Sequence, residues 1–442
     1  MNHSVNANPK SPSTSHIPIP DSHCHPTDTP SLLPTIPSMR ASCLTAMSTN
    51  STDQSLVLEL AEKYPERVVP GFGWHPWFSY LVWDDEDPEL LALWETGEEG
   101  WEGEFTTRHF EKVLKGGGGG GGGPGNGGRL EKGFVEALGM PRRLRGDVVV
   151  ELRRNFERFK SQGRGVVLGE VGLDRGFRLP WPKGYRPPAS ASVSATVSEE
   201  GEGEKEKALS PYKVSMHHQV LVFIMQMKVA GEVGVPASVH GVQAHGTMFD
   251  TLRGLWKGWE VRVESRREMR ERVVRGRKLG GKEREWVDRF LLEDGKGLEE
   301  LDSDVEGDEP PQGPPPFPPR ICLHSFSAPP QTLSQYLSNP TPTTAYPSEV
   351  YFSFSTTINS RNKCRLEEVL GMVPQERVLV ESDLHTAGEE MDRVLEGAVE
   401  VVRGVKGWSG EEVRRVVGEN WGRWVYGEEW DWRRRRRGQG KA

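Results

Sequence analysis

Five short segments of this chain carry residue types that bind divalent metal ions. They are Asp21-Ser22-His23-Cys24-His25, Gly169-Glu170-Val171-Gly172-Leu173-Asp174, Ser238-Val239-His240, Cys322-Leu323-His324 and Glu381-Ser382-Asp383. Neutral imidazoles and carboxylate oxygens are the donors that suit Zn2+, Mn2+ or Mg2+. His23, His25, His240 and His324, with the carboxylates Glu170 and Asp383, supply enough donors for two such ions. The chemistry of a centre of this kind is hydrolysis. Bound ions lower the pKa of water from about 15.7 toward neutrality, and a pair of them stabilises both the attacking and the leaving oxygen of a phosphodiester. A carboxylate in the position of Asp383 orients the water or takes its proton, and Glu170 and Asp383 are the two residues expected to act in catalysis.

The elements that must position these side chains follow from the pattern around them. Each segment lies at or just after a short apolar run of the kind that makes a buried parallel strand. Side chains alternate faces along a strand, so His23 and His25 point one way and Cys24 the other. Strands are expected at Ile17–His23, Ser42–Met47, Val68–Trp74, Gly165–Val171, Pro236–His240, Ile321–His324, Val350–Ser355 and Val378–Ser382. Helical patterns lie between several of them, at Asp53–Tyr64, Asp147–Gln162, Val214–Gly234, Gln331–Leu337, Asn362–Leu370 and Glu389–Val405. A last helix, from Ser409 to Trp421, is expected in the outer layer. Alternating strands and helices imply a parallel sheet, and eight units fit an α/β fold of the (β/α)8 TIM-barrel type. In such a barrel the active site forms at the C-terminal ends of the strands, which is where all six ligand candidates fall.

Length and charge set the outer bounds. The 442 residues are read as one barrel, residues 17–428, with a disordered tail at 1–16, a basic tail at 429–442 and long flexible insertions at about 83–145, 178–211 and 252–319. The first insertion holds the glycine run Gly116 to Gly123, which reads as a flexible linker and not as a phosphate-cradling loop. The third starts as a charged helical stretch through Glu264 and ends acidic and proline-rich. A net charge of −8 argues against a surface coated in basic residues while leaving room for a local basic groove. Four scattered cysteines without a C-x-x-C pair fit reduced thiols. No apolar run approaches the roughly 20 residues that span a bilayer, and the first residues lack a signal-peptide core. A cytoplasmic or nuclear setting without membrane contact is the expectation.

These segments, with Gly73-Trp74-His75-Pro76 after the third strand, the helix Gln219–Ala230 leading into Val235–His240, and His324-Ser325-Phe326-Ser327, resemble the TatD-type metal-dependent deoxyribonucleases of the amidohydrolase-like barrels. The opening Asp21 to Asp28 is most similar to a fungal branch described as interacting with an anaphase-promoting-complex subunit. The resemblance implies that His23, His25 and Glu170 hold one ion and that Glu170 bridges to a second held by His240 and His324. It also implies that Asp383 binds metal and accepts a proton from the attacking water. DNA, single-stranded by preference, is the implied substrate, with the complex subunit as protein partner. Departures lie outside the ligands: Val242 stands where the family has Arg, Ala328 where it has Gly, and Ser382-Asp383-Leu384-His385 where it has T-D-x-P.

Other residues carry paired readings. His75, fixed by Pro76, is a candidate contact for a substrate phosphate or a structural loop histidine. His245 and His385 either line the altered pocket or lie on the surface, and His217-His218 reads as structural. Cys24 and Cys322 read as packed core. The run Arg433 to Arg437 is a phosphate-binding or nuclear-address signal, or a solvated tail. Two alternatives to the nuclease remain open: a hydrolase of small amides or esters, since the same constellation serves both chemistries, and a metal-binding protein that acts mainly as an interaction partner.

Overall fold

The computed structural model describes residues 18–97, 100–116, 130–186, 209–263 and 312–427. Both tails, most of the glycine run and the charged stretch through Glu264 lie outside the described residues. Eight strands form one sheet in chain order, each pairing parallel with the next. They are β1 (Asp21–Cys24), β2 (Leu44–Met47), β3 (Val68–Phe72), β4 (Val167–Asp174), β5 (Ala237–Val242), β6 (Arg320–Leu323), β7 (Glu349–Phe354) and β8 (Val378–Val380). At the seam, Ser22 Oγ donates to Val380 O (2.8 Å), Ser382 N to Asp21 Oδ1 (3.0 Å) and Asp383 N to His23 O (3.0 Å). These bonds draw β8 onto β1, and the sheet is nearly closed into the expected barrel.

The surrounding helices are α1 (Ser51–Lys63), α2 (Val150–Ser161), α3 (Met216–Val233), α4 (His245–Trp256), α5 (Pro330–Leu337), α6 (Lys363–Met372), α7 (Glu389–Lys406) and α8 (Gly410–Tyr426). Local chemistry sets their ends. Asn50 and Asp53 form a reciprocal capping box at the start of α1, Ser215 caps α3, and Gly234 ends α3 in the left-handed conformation. Between β1 and β2 the chain runs as a 3-10 helix, Pro30–Ser38, because Pro34 and Pro37 lack the amide donors an α-helix needs there.

The core has two layers, as strand alternation requires. Cys24, Ala46, Phe72, Leu168 and Val239 face outward onto the helices. Met47, Val69, Val167, Cys322, Tyr351 and Leu379 form the interior cluster, which Trp421, Trp424 and Val425 of α8 join. The last helix therefore packs onto residues of the barrel's interior, where the sequence placed it in the outer ring. Cys24 and Cys322 are fully buried in these layers, as expected of core thiols.

Two expectations need revision. The stretch from Leu252 begins inside α4, whose Leu252, Leu255 and Trp256 are buried against the barrel. The first insertion, expected to be flexible, is ordered over its described parts. It forms helices Pro88–Thr96, Trp101–Val113 and Lys132–Leu138 around Trp83, Leu90 and Phe105 and around Phe110, Leu114 and Phe134. Glycine drew the reading toward a linker, but the aromatic residues on either side bury enough apolar surface to fold.

Candidate metal centre

At the C-terminal mouth Glu170 is surrounded by five imidazoles. Its Oε2 lies 3.2 Å from His25 Nε2 and 3.5 Å from His23 Nε2. Its Oε1 lies 2.7 Å from His324 Nε2, 2.8 Å from His240 Nδ1 and 3.2 Å from His75 Nε2. Asp383 Oδ1 approaches His23 Nε2 at 3.8 Å. His23 and His25 meet Nε2 to Nε2 at 3.2 Å, and His240 Nδ1 meets His324 Nε2 at 3.3 Å. Two donors held about 2.1 Å from a common tetrahedral ion stand roughly 3.4 Å apart, so these separations fit shared ions. Three groups of donors, each within 4.8 Å of one another, meet here: His23/His25/Glu170, His23/His324/Asp383 and His75/Glu170/His240. Glu170 is common to two of them.

The far nitrogen of each ring fixes what the near one offers. His23 Nδ1 bonds Ser238 Oγ at 2.8 Å. His240 Nε2 faces Asp174 Oδ2 at 3.4 Å, and His324 Nδ1 faces Glu381 Oε1 at 3.7 Å. Asp174 there can accept the Nε2–H of His240, which would leave Nδ1 to an ion, whereas at 3.7 Å Glu381 makes no hydrogen bond to His324 Nδ1. His75 is wired the other way. Its Nδ1 accepts the backbone N–H of Trp77 at 3.2 Å, so in the neutral ring the proton sits on Nε2 and is donated to Glu170. On this geometry His75 is a hydrogen-bond donor, despite its ligand-like proximity.

Charge follows burial. The burial of Glu170 opposes ionisation, but His75, His324 and His23 around it hold its carboxyl well below the usual range. Burial lowers His23 to about 3 and His75 to about 4, keeping both neutral. His25 also pays for burial, yet Glu170, Asp28 and Asp383 lift it to about 9.

Backbone strain gathers at the same rim. Ser325 (φ 43°) and Asp383 (φ 54°) are non-glycine residues in the left-handed region. Glu381 Oε1 holds Ser325 by accepting its N–H (2.7 Å) and its hydroxyl (2.5 Å). The N–H of Asp383 is tied to His23 O (3.0 Å). Gly172 (φ 149°) is required by contact: a Cβ there would lie 2.0 Å from His240 O.

The structure brings together every ligand candidate, His23, His25, Glu170, His240, His324 and Asp383, together with His75. Sequence reasoning did not assign Ser238, Asp174 or Glu381, although period-two arithmetic reaches them. Each lies two or four residues from a ligand and so on its face of the chain. His385 is exposed, bonds Asp28 Oδ2 at 2.6 Å and stacks on His25 with ring centres 4.9 Å apart. His245 is half-buried beside Phe326. His218 is buried and bonds Ser79 O at 2.9 Å, a structural role as expected.

Fold and centre together define a hydrolase-type parallel barrel with a donor set able to hold divalent ions. A family model described as TatD related DNase matches residues 20–425, and the chain belongs to that family. It is 31% identical over 401 residues to Cut9-interacting protein scn1 of Schizosaccharomyces pombe, across 90% of this chain and 96% of that protein. It is 25% identical over 210 residues to a Saccharomyces cerevisiae protein named uncharacterized deoxyribonuclease YMR262W, across 46% of this chain and 50% of that one. The solved structure of YJJV, a TatD homolog of Escherichia coli, aligns over 92% of this chain and 97% of its own at 13% identity, with a TM-score of 0.44. No described helix is long and apolar enough to cross a membrane.

Proposed function

We propose that this protein is a divalent-metal-dependent phosphodiesterase acting on DNA, by preference single-stranded. The observation that carries the reading is Glu170, whose two oxygens face two separate sets of imidazoles. His23, His25, Glu170 and Asp383 would hold one ion, and Glu170, His240 and His324 the second. Mg2+, Mn2+ or Zn2+ bound there supplies a more acidic water and neutralises phosphate charge. The residues themselves do the rest. Asp383, held by the bond of its N–H to His23 O (3.0 Å), would take the proton of the attacking water. The Nε2–H of His75, which faces Glu170 in the free protein, would turn to a non-bridging phosphate oxygen once ions occupy that carboxylate, a task its Trp77 bond suits.

The test is elemental analysis paired with cleavage of a single-stranded oligonucleotide, for wild type, Asp383→Asn and Glu170→Ala. Metal in the wild type and cleavage lost in both variants support the reading. Bound metal without cleavage of any phosphodiester overturns it and turns attention to small amides and esters. The likeness to scn1 supports a second property, association with a Cut9-type partner protein. Co-purification with such a partner tests it, and binding that survives Glu170→Ala would separate it from catalysis.

A further inference from the structure

Beside the metal centre two aromatic rings lie face to face. Trp77 and Phe177 stack with centroids 4.7 Å apart and planes at 10°, and both are partly exposed. The indole is anchored, since its Nε1 donates to Asp174 Oδ2 at 2.6 Å. Asp174 Oδ1 accepts the N–H groups of Gly176 (2.7 Å) and Phe177 (2.9 Å), and Oδ2 also faces His240 Nε2. One carboxylate thus ties the stacked pair to an imidazole that touches Glu170. The indole centroid is 4.7 Å from the ring of His75 and 6.2 Å from that of His240. Behind the pair, Phe177 packs against the buried cluster that includes Phe110, Leu114, Leu179 and Val214, so part of the first insertion serves as its backing. Arg175, on the same loop, is exposed, with its guanidinium 3.4 Å from Thr247 Oγ1, and Lys213 Nζ donates to its carbonyl at 3.0 Å.

We propose that Trp77 and Phe177 form a stacking platform for an unpaired nucleobase of the strand whose phosphate sits at the metal centre beside Glu170. The inference rests on the phosphodiesterase reading and deepens it by naming what the centre recognises. Every base presents a π-face, so such a platform is tolerant of sequence but requires the base to be out of a duplex. Packing alone accounts for a buried aromatic pair. It does not account for a partly exposed pair anchored through the carboxylate that orients His240. A small amide or ester has no use for it.

The test compares wild type, Trp77→Ala, Trp77→Phe and Phe177→Ala on two probes, a labelled oligothymidylate and the same strand carrying abasic tetrahydrofuran residues. Binding is read by fluorescence anisotropy with Ca2+, cleavage with Mn2+, and metal content is measured for each variant. Loss of one stacking contact is worth about tenfold in affinity. The wild type is expected to prefer the base-bearing strand by about that factor. Trp77→Ala and Phe177→Ala should bind both strands alike with metal content intact, while Trp77→Phe should keep most of the preference. Phe177→Ala leaves the hydrogen bonds of Asp174 in place, so a misfolded Trp77→Ala does not remove the test. Equal binding of both strands by wild type, or an undiminished preference in Phe177→Ala, overturns the platform. Cleavage without base preference removes the platform alone, whereas base preference without cleavage removes the phosphodiesterase reading and keeps the platform.

Discussion

Gly172→Ala is the substitution whose consequence the geometry sets most directly. Gly172 sits on β4 between Glu170 and Asp174, at φ 149°, a conformation that side chains rarely adopt. A Cβ built there lies 2.0 Å from His240 O, 2.8 Å from His240 C and 2.9 Å from His240 N. Ordinary contact begins near 3.4 Å, so the two backbones must part by about 1.4 Å. All three atoms are main chain of β5, paired to β4 at this residue, so no side chain can swing away. His240 Nδ1, now 2.8 Å from Glu170 Oε1, would move by a similar amount. A 1 Å misplacement in a reacting constellation costs on the order of 100-fold in rate, and forcing atoms into a packed interior costs about 1–3 kcal/mol of stability. The assays are kcat on a phosphodiester, metal content after dialysis and a urea melt. The expected result is a folded, less stable protein that has lost about half its metal and most of its activity. A variant with wild-type metal content and rate would refute the reasoning, because it would mean that the β4–β5 approach does not position His240.

Three further outcomes follow from the same structure. Asp174→Asn removes the carboxylate that orients His240, Trp77 and the Phe177 loop, and metal affinity measured by competition with a chelator should fall about 10- to 100-fold; unchanged affinity would show that Asp174 serves only the loop. His25, with a pKa raised to about 9, is charged at neutral pH and must shed its proton to ligate, so metal binding should release protons and weaken up to about tenfold per unit of falling pH. Calorimetry in buffers of different ionisation enthalpy reads that release, and buffer-independent heats would contradict it. Burial lowers His109, in the first insertion, to about 3 from an ordinary 6.5, so the stability tied to its neutral form is complete above pH 6.5 and lost as pH falls toward 3. That loss amounts to about 1.4 kcal/mol per pH unit for one group, and His109→Gln, which can keep a donor to Tyr80 O, should flatten urea midpoints between pH 6 and 4.

Much of the architecture was legible in the sequence, because it rests on local periodicities. The apolar runs placed all eight strands within a few residues. The face rule put His23 and His25 on one side and Cys24 on the other, and barrel geometry gathered six ligand candidates at one rim. The same rule, applied further, reaches Asp174, Ser238 and Glu381. What it does not reach depends on the chain meeting itself at long range. Whether His75 offers a lone pair or a proton is decided by the N–H of Trp77, a consequence of the turn after Pro76. The stacking of His385 on His25 joins the loops after the first and the last strand, which are far apart in sequence. The packing of α8 onto the interior cluster depends on where Trp421 and Trp424 find apolar surface, and composition does not specify that partner. The first insertion reads as a linker beside its glycine run, yet its aromatic residues fold against Leu179 and Val214 and back the loop beside the metal centre. Period and residue type thus determined the barrel and its donor set, whereas proton placement, ring stacking and the rim of the site were decided by tertiary contacts, since each depends on which distant group lies opposite.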